Sequence, residues 1–291
     1  MTRELATDAP FSQVVDLTEL PTTDAETGRY VGIIAPTWTI GPKVHGGTMV
    51  AASAAAATRW LTEADPALAQ MAPIAASSDF LGAPEPGEVE YAVHIRKKGR
   101  QICLADAELI QDGRTLVRTA FTFGHLDADG TRFSDTGTDM PAEPDAAALE
   151  YTPDSPMGKI VHVGEVSRVF LDATWADFAR GETGPPRARL WIRPLDGDEA
   201  DPRVRAAFAM MAADMSPPVP INLGHFGWSP TVQMTTYLRR IPAPGWLRVI
   251  ATAREVGERM FDEDQLVIDS TGAVVAQSRQ LALIPSASPR T

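Results

Sequence analysis

A carboxylate in an apolar run is the first feature of this chain that asks for a chemical reason. Asp214 lies near the end of RVRAAFAMMAADM, Arg203 to Met215. At about 3.6 residues per turn, Val204, Phe208, Met211 and Met215 share one face, and Met210 and the alanines keep the others apolar. Burial and the negative end of such a helix both disfavour an anion there. The carboxylate must therefore be paired, hydrogen-bonded or kept basic for chemistry. Two readings stand: a cap for the turn at Ser216-Pro217-Pro218, or a general base. A second candidate constellation is His45-Gly46-Gly47. His45 is either a base or a loop residue before a helix. The two glycines either pack that helix tightly or present backbone N–H groups to a developing anion. Cys103 and His225 are the remaining nucleophile and ligand candidates, and they read as a core position and a loop residue. The chain has no Gly-x-Ser-x-Gly elbow, no phosphate-cradling glycine loop and no metal-ligand spacing, so neither metal nor cofactor is expected.

The elements that must position these residues come from an internal repeat. FLGAPEPGEVEYAVHIRKKGRQICLADAELIQDGRTLVRTAFTF, Phe80 to Phe123, corresponds to LRRIPAPGWLRVIATAREVGERMFDEDQLVIDSTGAVVAQSRQLAL, Leu238 to Leu283. Gly87 matches Gly245, Gly99 matches Gly257, Asp106 matches Asp264, and Gly113 matches Gly272 after one inserted residue. Each copy reads as three strands joined by turns, and ahead of each lies an apolar helix, Gly46 to Trp60 or Arg203 to Met215. A curved sheet wrapped round an alanine-rich helix accounts for the small side chains and the missing polar face. The fold class is therefore α+β, with halves at 1–131 and 160–291. They are separated by a Pro- and Asp-rich surface linker at 132–159, and they pack edge to edge so that sheet edges are hidden.

Composition narrows the class. With 291 residues and 44 % apolar content there is ample core. The single cysteine excludes an internal disulfide framework and suits a reducing compartment. MTRELATDAPFSQV lacks the apolar core of a signal peptide, and no stretch is long enough to span a bilayer, so a cytoplasmic protein without membrane insertion is expected. A net charge of -12 argues against nucleic acid as a partner.

The ordered motifs resemble the acyl-CoA thioesterases of the TesB type. VHGGTMVAASAAAA and KKGRQICLADAELIQDGRTL in the first half are similar to that family, as are LWIRP, the helix ending AAD, PTVQMTTYLRR, PGWL and DSTGAVVAQSRQ in the second. The resemblance implies a double hotdog fold, two tandem hotdog repeats, and hydrolysis of acyl-CoA to free acid and CoA. It also implies a site made of an Asp late in the second helix, a Thr opening the next strand and a Gln on the last strand. These fall on Asp214, Thr231 and Gln280. The family's usual Asp-His-Ser continuation reads Gln233, Met234, Thr235 here. Lys97, Lys98, Arg100, Arg239 and Arg240 become candidates for the phosphates of coenzyme A, with His45 as a further substrate contact. Hotdog sheets often pair further, so a homo-oligomer is among the expectations.

The repeat offers an independent check on the site. Gln280 corresponds to Phe121, Thr231 to Pro73 or Ile74, and the first helix carries no carboxylate from Gly46 to Leu61. All three polar groups are confined to the second half, which favours chemistry over structure. Asp214 would activate water, Thr231 and Gln280 would orient it, and the N–H groups of Gly46 and Gly47 would hold the oxyanion. The alternatives are a hotdog hydratase or dehydratase based on His45, or a non-catalytic binder of acyl-CoA or acyl carrier.

Overall fold

Period-two burial runs through the long strands and decides what each half encloses. Cys103, Ala105, Ala107 and Leu109 face inward from one strand, and Phe261, Glu263, Gln265 and Val267 from its counterpart. The computed structural model describes residues 8–24, 26–127 and 131–285. Residues 1–7 of the N-terminal segment read above lie outside the described residues.

In the first half the order is α1 (Pro10–Val15), β1 (Thr18–Glu19), β2 (Thr27–Ile34), β3 (Thr39–Ile40), β4 (Lys43–Val44), α2 (Gly46–Ala64), β5 (Ala72–Phe80), β6 (Gly87–Lys97), β7 (Cys103–Gln111) and β8 (Arg114–Gly124). There follow β9 (Leu149–Glu150), β10 (Ser167–Leu171), β11 (Arg187–Pro194), α3 (Asp196–Glu199), α4 (Pro202–Ala212), β12 (Thr231–Leu238), β13 (Leu247–Thr252), β14 (Met260–Ile268) and β15 (Val274–Leu283). Apart from the β3–β4 pair, the strands form one large antiparallel sheet in the order β1-β2-β6-β7-β8-β5-β12-β15-β14-β13-β11-β10-β9. The two halves meet where β5 pairs with β12, from Asp79 opposite Gln233 to Ala75 opposite Tyr237. The outermost strands, β1 and β9, are only two residues long, which leaves little edge to recruit another chain. Among the described residues no helix is long and apolar enough to cross a membrane.

The ladders place the repeat residue by residue. Cys103 lies opposite Phe123 as Phe261 lies opposite Ala282, and Ala105 opposite Phe121 as Glu263 opposite Gln280. Both Cys103 and Phe261 are buried. Gly87 and Gly245 share a positive φ (138° and 112°), as do Gly113 and Gly272 (71° and 88°), so these turns need glycine in both copies. A register shift falls after Pro73 in β5 and after Thr231 in β12, and Pro73 faces Phe123 as Thr231 faces Ala282. Thr231 therefore corresponds to Pro73 rather than Ile74.

Both helices differ from expectation at their ends. α2 runs to Ala64, four residues past Trp60. α4 stops at Ala212, because the N–H groups of Asp214 and Met215 bond three residues back, to Met211 and Ala212, and Pro217-Pro218 cannot continue a helix. Asp214 thus sits on the turn beyond α4. The two helices approach closely: a Cβ on Gly47 would collide with the Met211 carbonyl oxygen. The expected surface linker also adds β9 to the sheet beside β10. It is tied to the second half by Trp191 Nε1–H donating to Pro141 O (2.9 Å) and Arg248 donating to Met140 O (3.0 Å).

Candidate active site

α2 opens without a side-chain cap of its own, and the group that satisfies it comes from the other half. The N–H of Gly47 donates to Asp214 Oδ2 at 2.7 Å, so Asp214 caps α2 across the junction instead of capping its own turn. A helix N-terminus favours the carboxylate's charge, and this hydrogen bond pulls its pKa down. Burial pulls the other way and wins: with 8 % of the side chain exposed, Asp214 is pushed up to about 7.

His45 braces the same turn. The Asp214 carbonyl can only accept, so His45 Nε2 carries the proton and donates to it at 3.0 Å, while Nδ1 pairs with Thr48 Oγ1 at 3.1 Å. Burial lowers His45 to about 4. Its 3.5 Å approach to Asp214 Oδ2 is therefore no ion pair near neutral pH: the imidazole is neutral. Ser278 Oγ donates to Ala213 O at 2.5 Å and fixes the turn from the sheet side.

Thr231 and Gln280 meet each other. Thr231 Oγ1 donates to Gln280 Oε1 at 2.6 Å, and Gln280 Nε2 donates to Glu263 Oε1 at 3.1 Å. Sequence reasoning assigned both as donors to a water. In this network the Thr231 proton is spent on Gln280, which leaves Thr231 an acceptor and Gln280 its second N–H. No hydrogen bond joins Asp214 to either among the described residues; the link runs through Glu263. That residue also accepts from Ser216 Oγ (2.6 Å), Val219 N–H (3.0 Å) and Gln265 Nε2 (2.7 Å). Burial raises Glu263 to about 7, its hydrogen bonds oppose the rise, and the Asp214 charge adds to it.

Glu263 escaped the sequence reading because Asp262-Glu263-Asp264 looks like a solvated acidic run. Two signals could have found it: its inward position on a period-two strand, and its match to Ala105 in the first half. Gly47 also changes role, since its N–H is committed to Asp214. The basic candidates lie elsewhere. Lys98 Nζ is 3.5 Å from Ala64 O, and at about 1.5 Å per residue the length of α2 separates it from Gly46 by roughly 27 Å. Lys98 and Arg100 line a cleft of about 290 Å³ with Asp65 and His125. Lys97 ends β6 beside them. Arg239, bonded to Gln277, and Arg240, bonded to Thr131, follow the far end of β12 from Thr231. The exposed His225 does not join the cluster.

Comparison with known proteins matches residues 34–124 to the acyl-CoA thioesterase N-terminal domain and residues 138–284 to the acyl-CoA thioesterase C-terminal domain. An uncharacterised protein of Mycobacterium bovis is 40 % identical over 269 residues, covering 86 % of this chain and 88 % of its own. A Thermobifida fusca structure described provisionally as a thioesterase II is 26 % identical, with a TM-score of 0.79 over 95 % of this chain and 97 % of that one. A hot dog fold protein of unknown function from Alicyclobacillus acidocaldarius has a TM-score of 0.71 at 17 % identity, covering 96 % of this chain and 98 % of that one, and shows the fold.

Proposed function

Because this chain belongs to the acyl-CoA thioesterase family, we propose that it hydrolyses an acyl-CoA thioester to free acid and CoA, with Asp214 as general base. The observation that carries the reading is the Asp214 carboxylate. It is held by the Gly47 N–H, raised to about 7, and linked by the Ser216–Glu263–Gln280–Thr231 chain to polar groups that only the second half possesses. A base poised near neutral pH takes a proton from water most effectively. The water oxygen bonds to the acyl carbon as its proton passes to Asp214. The C–S bond then breaks, and the protonated Asp214 returns the proton to the CoA sulfur. Thr231 accepts the water's second proton in a hydrogen bond, and the free N–H of Gln280 donates. With Gly47 engaged, Gly46 N–H at the unpaired start of α2 is the backbone donor for the oxyanion.

Each half, in this reading, is a hotdog module whose sheet wraps its helix, and the halves divide near the segment 132–159. Cys103, buried and unpaired, fits the reducing cytoplasm. The hydratase reading would need His45 as base. Both of its ring nitrogens are hydrogen-bonded and burial lowers it to about 4, which favours hydrolysis. The basic clusters at Lys97, Lys98, Arg100 and at Arg239, Arg240 lie away from Asp214 and are not assigned to coenzyme A in this reading.

Mass spectrometry of the products from a panel of acyl-CoAs tests the proposal. Free CoA plus the matching acid is expected. An intact thioester changed in mass by one water would move the assignment to His45, and no turnover of any acyl-CoA would leave a binding protein.

A further inference from the structure

We propose that Glu263 is a positioning residue that sets the Gln280–Thr231 pair against the Asp214 turn, a role that rests on the thioesterase reading. Glu263 is fully buried on β14, and among the described residues no Lys, Arg or His forms an ion pair with it. A lone carboxylate in such a place is costly unless its oxygens are satisfied, and four hydrogen bonds satisfy it. They come from two directions. Ser216 and Val219 belong to the segment that carries Asp214, whereas Gln280 belongs to β15 and leads on to Thr231 at the start of β12. Glu263 is the side chain that touches both groups.

The chemistry of the acceptor sets the orientation of its neighbours. All four hydrogen bonds of Glu263 are donations to its oxygens, the pattern of a carboxylate that accepts only, and the Gln280 amide accordingly turns its nitrogen toward it. Its oxygen then faces Thr231 and takes that hydroxyl's proton. With an apolar residue at 263 nothing would choose between the two amide orientations, and the Thr231 proton would be free to point elsewhere. The first half shows what the fold alone requires here: Ala105 opposite Phe121, with no polar atom in either side chain. Packing therefore does not explain Glu263, and alignment of the site does.

The titratable groups that share this interior are Asp214, on the turn after α4, and His45, at the head of α2, which is neutral. β12, β14 and β15 contribute Thr231, Gln265, Ser278 and Gln280, none of which titrates. Removing the Glu263 charge therefore acts on Asp214 alone, and it makes Asp214 easier to ionise.

The experiment uses Glu263→Gln in the full chain. Its kcat on the best acyl-CoA should fall roughly 10–10²-fold with KM little changed, and the acid limb of its kcat/KM profile should move to lower pH. In parallel, ¹³C-aspartate NMR, assigned with Asp214→Asn, follows the Asp214 titration, and the side-chain amide resonance of Gln280, assigned with Gln280→Leu, follows its orientation. Both should shift in Glu263→Gln. A change in Tm alone, with kcat, acid limb and both resonances unmoved, would overturn the proposal. If the wild type hydrolyses no acyl-CoA, the thioesterase reading falls, and the two NMR readouts still decide Glu263. Should Glu263→Gln not fold, Ser216→Ala removes one donor from the same carboxylate and should lower kcat about 3–10-fold; an unchanged Gln280 resonance and kcat there would equally count against it.

Discussion

Two places in this molecule share a backbone and differ in what fills it. In the first half, Pro73, Ala105, Phe121 and Phe123 occupy facing positions on β5, β7 and β8. In the second, Thr231, Glu263, Gln280 and Ala282 take the matching positions on β12, β14 and β15. Even the register shift beside Pro73 and Thr231 is shared. The apolar set, with Phe121 and Phe123 in ring contact at 6.0 Å, is what hydrophobic burial selects for such a site. The second set gives up that apolar packing and confines a carboxylate, Glu263, raised to about 7. A fold that already has a working apolar solution in one half retains the costly one in the other, which supports placing the proposed chemistry there.

The most severe way to break the contrast is to neutralise its base. Asp214→Asn keeps the shape and the acceptor for Gly47 N–H, and hydrolysis should fall roughly 10²–10⁴-fold while circular dichroism reports a folded protein. In the wild type kcat/KM should rise with pH through about 7, as Asp214 loses its proton. Turnover unchanged in Asp214→Asn would make the residue a cap for α2 and nothing more. A second variant writes the first half into the second: Glu263→Ala with Gln280→Phe restores the Ala105–Phe121 pair. One side chain shrinks as the other grows, which cores tolerate best. Activity should drop by about 10² or more. Urea unfolding should show a loss of stability, because the Val219 N–H, Ser216 Oγ and Gln265 Nε2 lose the acceptor that Glu263 provides. Full activity in this variant would mean that the polar set serves the fold alone.

How much of this could be read from the chain varied with the physics. The repeat was legible because glycines at positive φ, Gly87 with Gly245 and Gly113 with Gly272, are local backbone requirements that leave the same mark in both copies. Asp214 stood out because a carboxylate in an alanine- and methionine-rich stretch is improbable without a partner. That partner, the N–H of Gly47, is a contact between distant segments and leaves no local trace. Thr231 and Gln280 followed from family resemblance and the repeat, not from their own spacing. Glu263 was hidden by its charged neighbours, Asp262 and Asp264, which ion-pair outward with Arg279 while Glu263 points in. Lys97, Lys98 and Arg100 seemed to belong with the site because sequence proximity carries no information about which end of α2 they flank.

A smaller perturbation sharpens the contrast without touching a polar side chain. A Cβ on Gly46 would lie 2.5 Å from Asp214 Oδ2 and 3.4 Å from the Phe80 ring, so Gly46→Ala must displace the carboxylate. Alanine suits a helix better than glycine, so stability should change little. Hydrolysis should fall roughly 10–10²-fold, as expected for a catalytic group shifted by a fraction of an ångström. A variant that kept full activity would show that the position of Asp214 is not critical.

The smallest effect is thermodynamic and separates the raised carboxylate from an ordinary one. Asp214 is pushed from 3.8 up to about 7 in the folded protein, so the native state binds its proton more tightly than the unfolded chain does. Below about pH 4 both states are protonated and the burial of a neutral group carries no charge penalty. As pH rises toward 7 the unfolded chain ionises first, and the stability contributed by the bound proton drains away; above 7 the native state carries a buried anion. Asp214→Asn mimics the neutral form at every pH. Its Tm should exceed that of the wild type by up to roughly 10 °C at pH 8, and the difference should close near pH 4, since about three pKa units correspond to about 4 kcal/mol and each 1 kcal/mol moves Tm by roughly 2–4 °C in a domain of this size class. Glu263 carries a shift of the same direction, and the loss of the Asp214 charge lowers it, which adds to the gain of Asp214→Asn at pH 8. Differential scanning calorimetry at the two pH values decides it. A Tm lower in Asp214→Asn at pH 8 would mean that the cap on α2 outweighs desolvation, and that Asp214 titrates like the depressed carboxylates of ordinary helix caps.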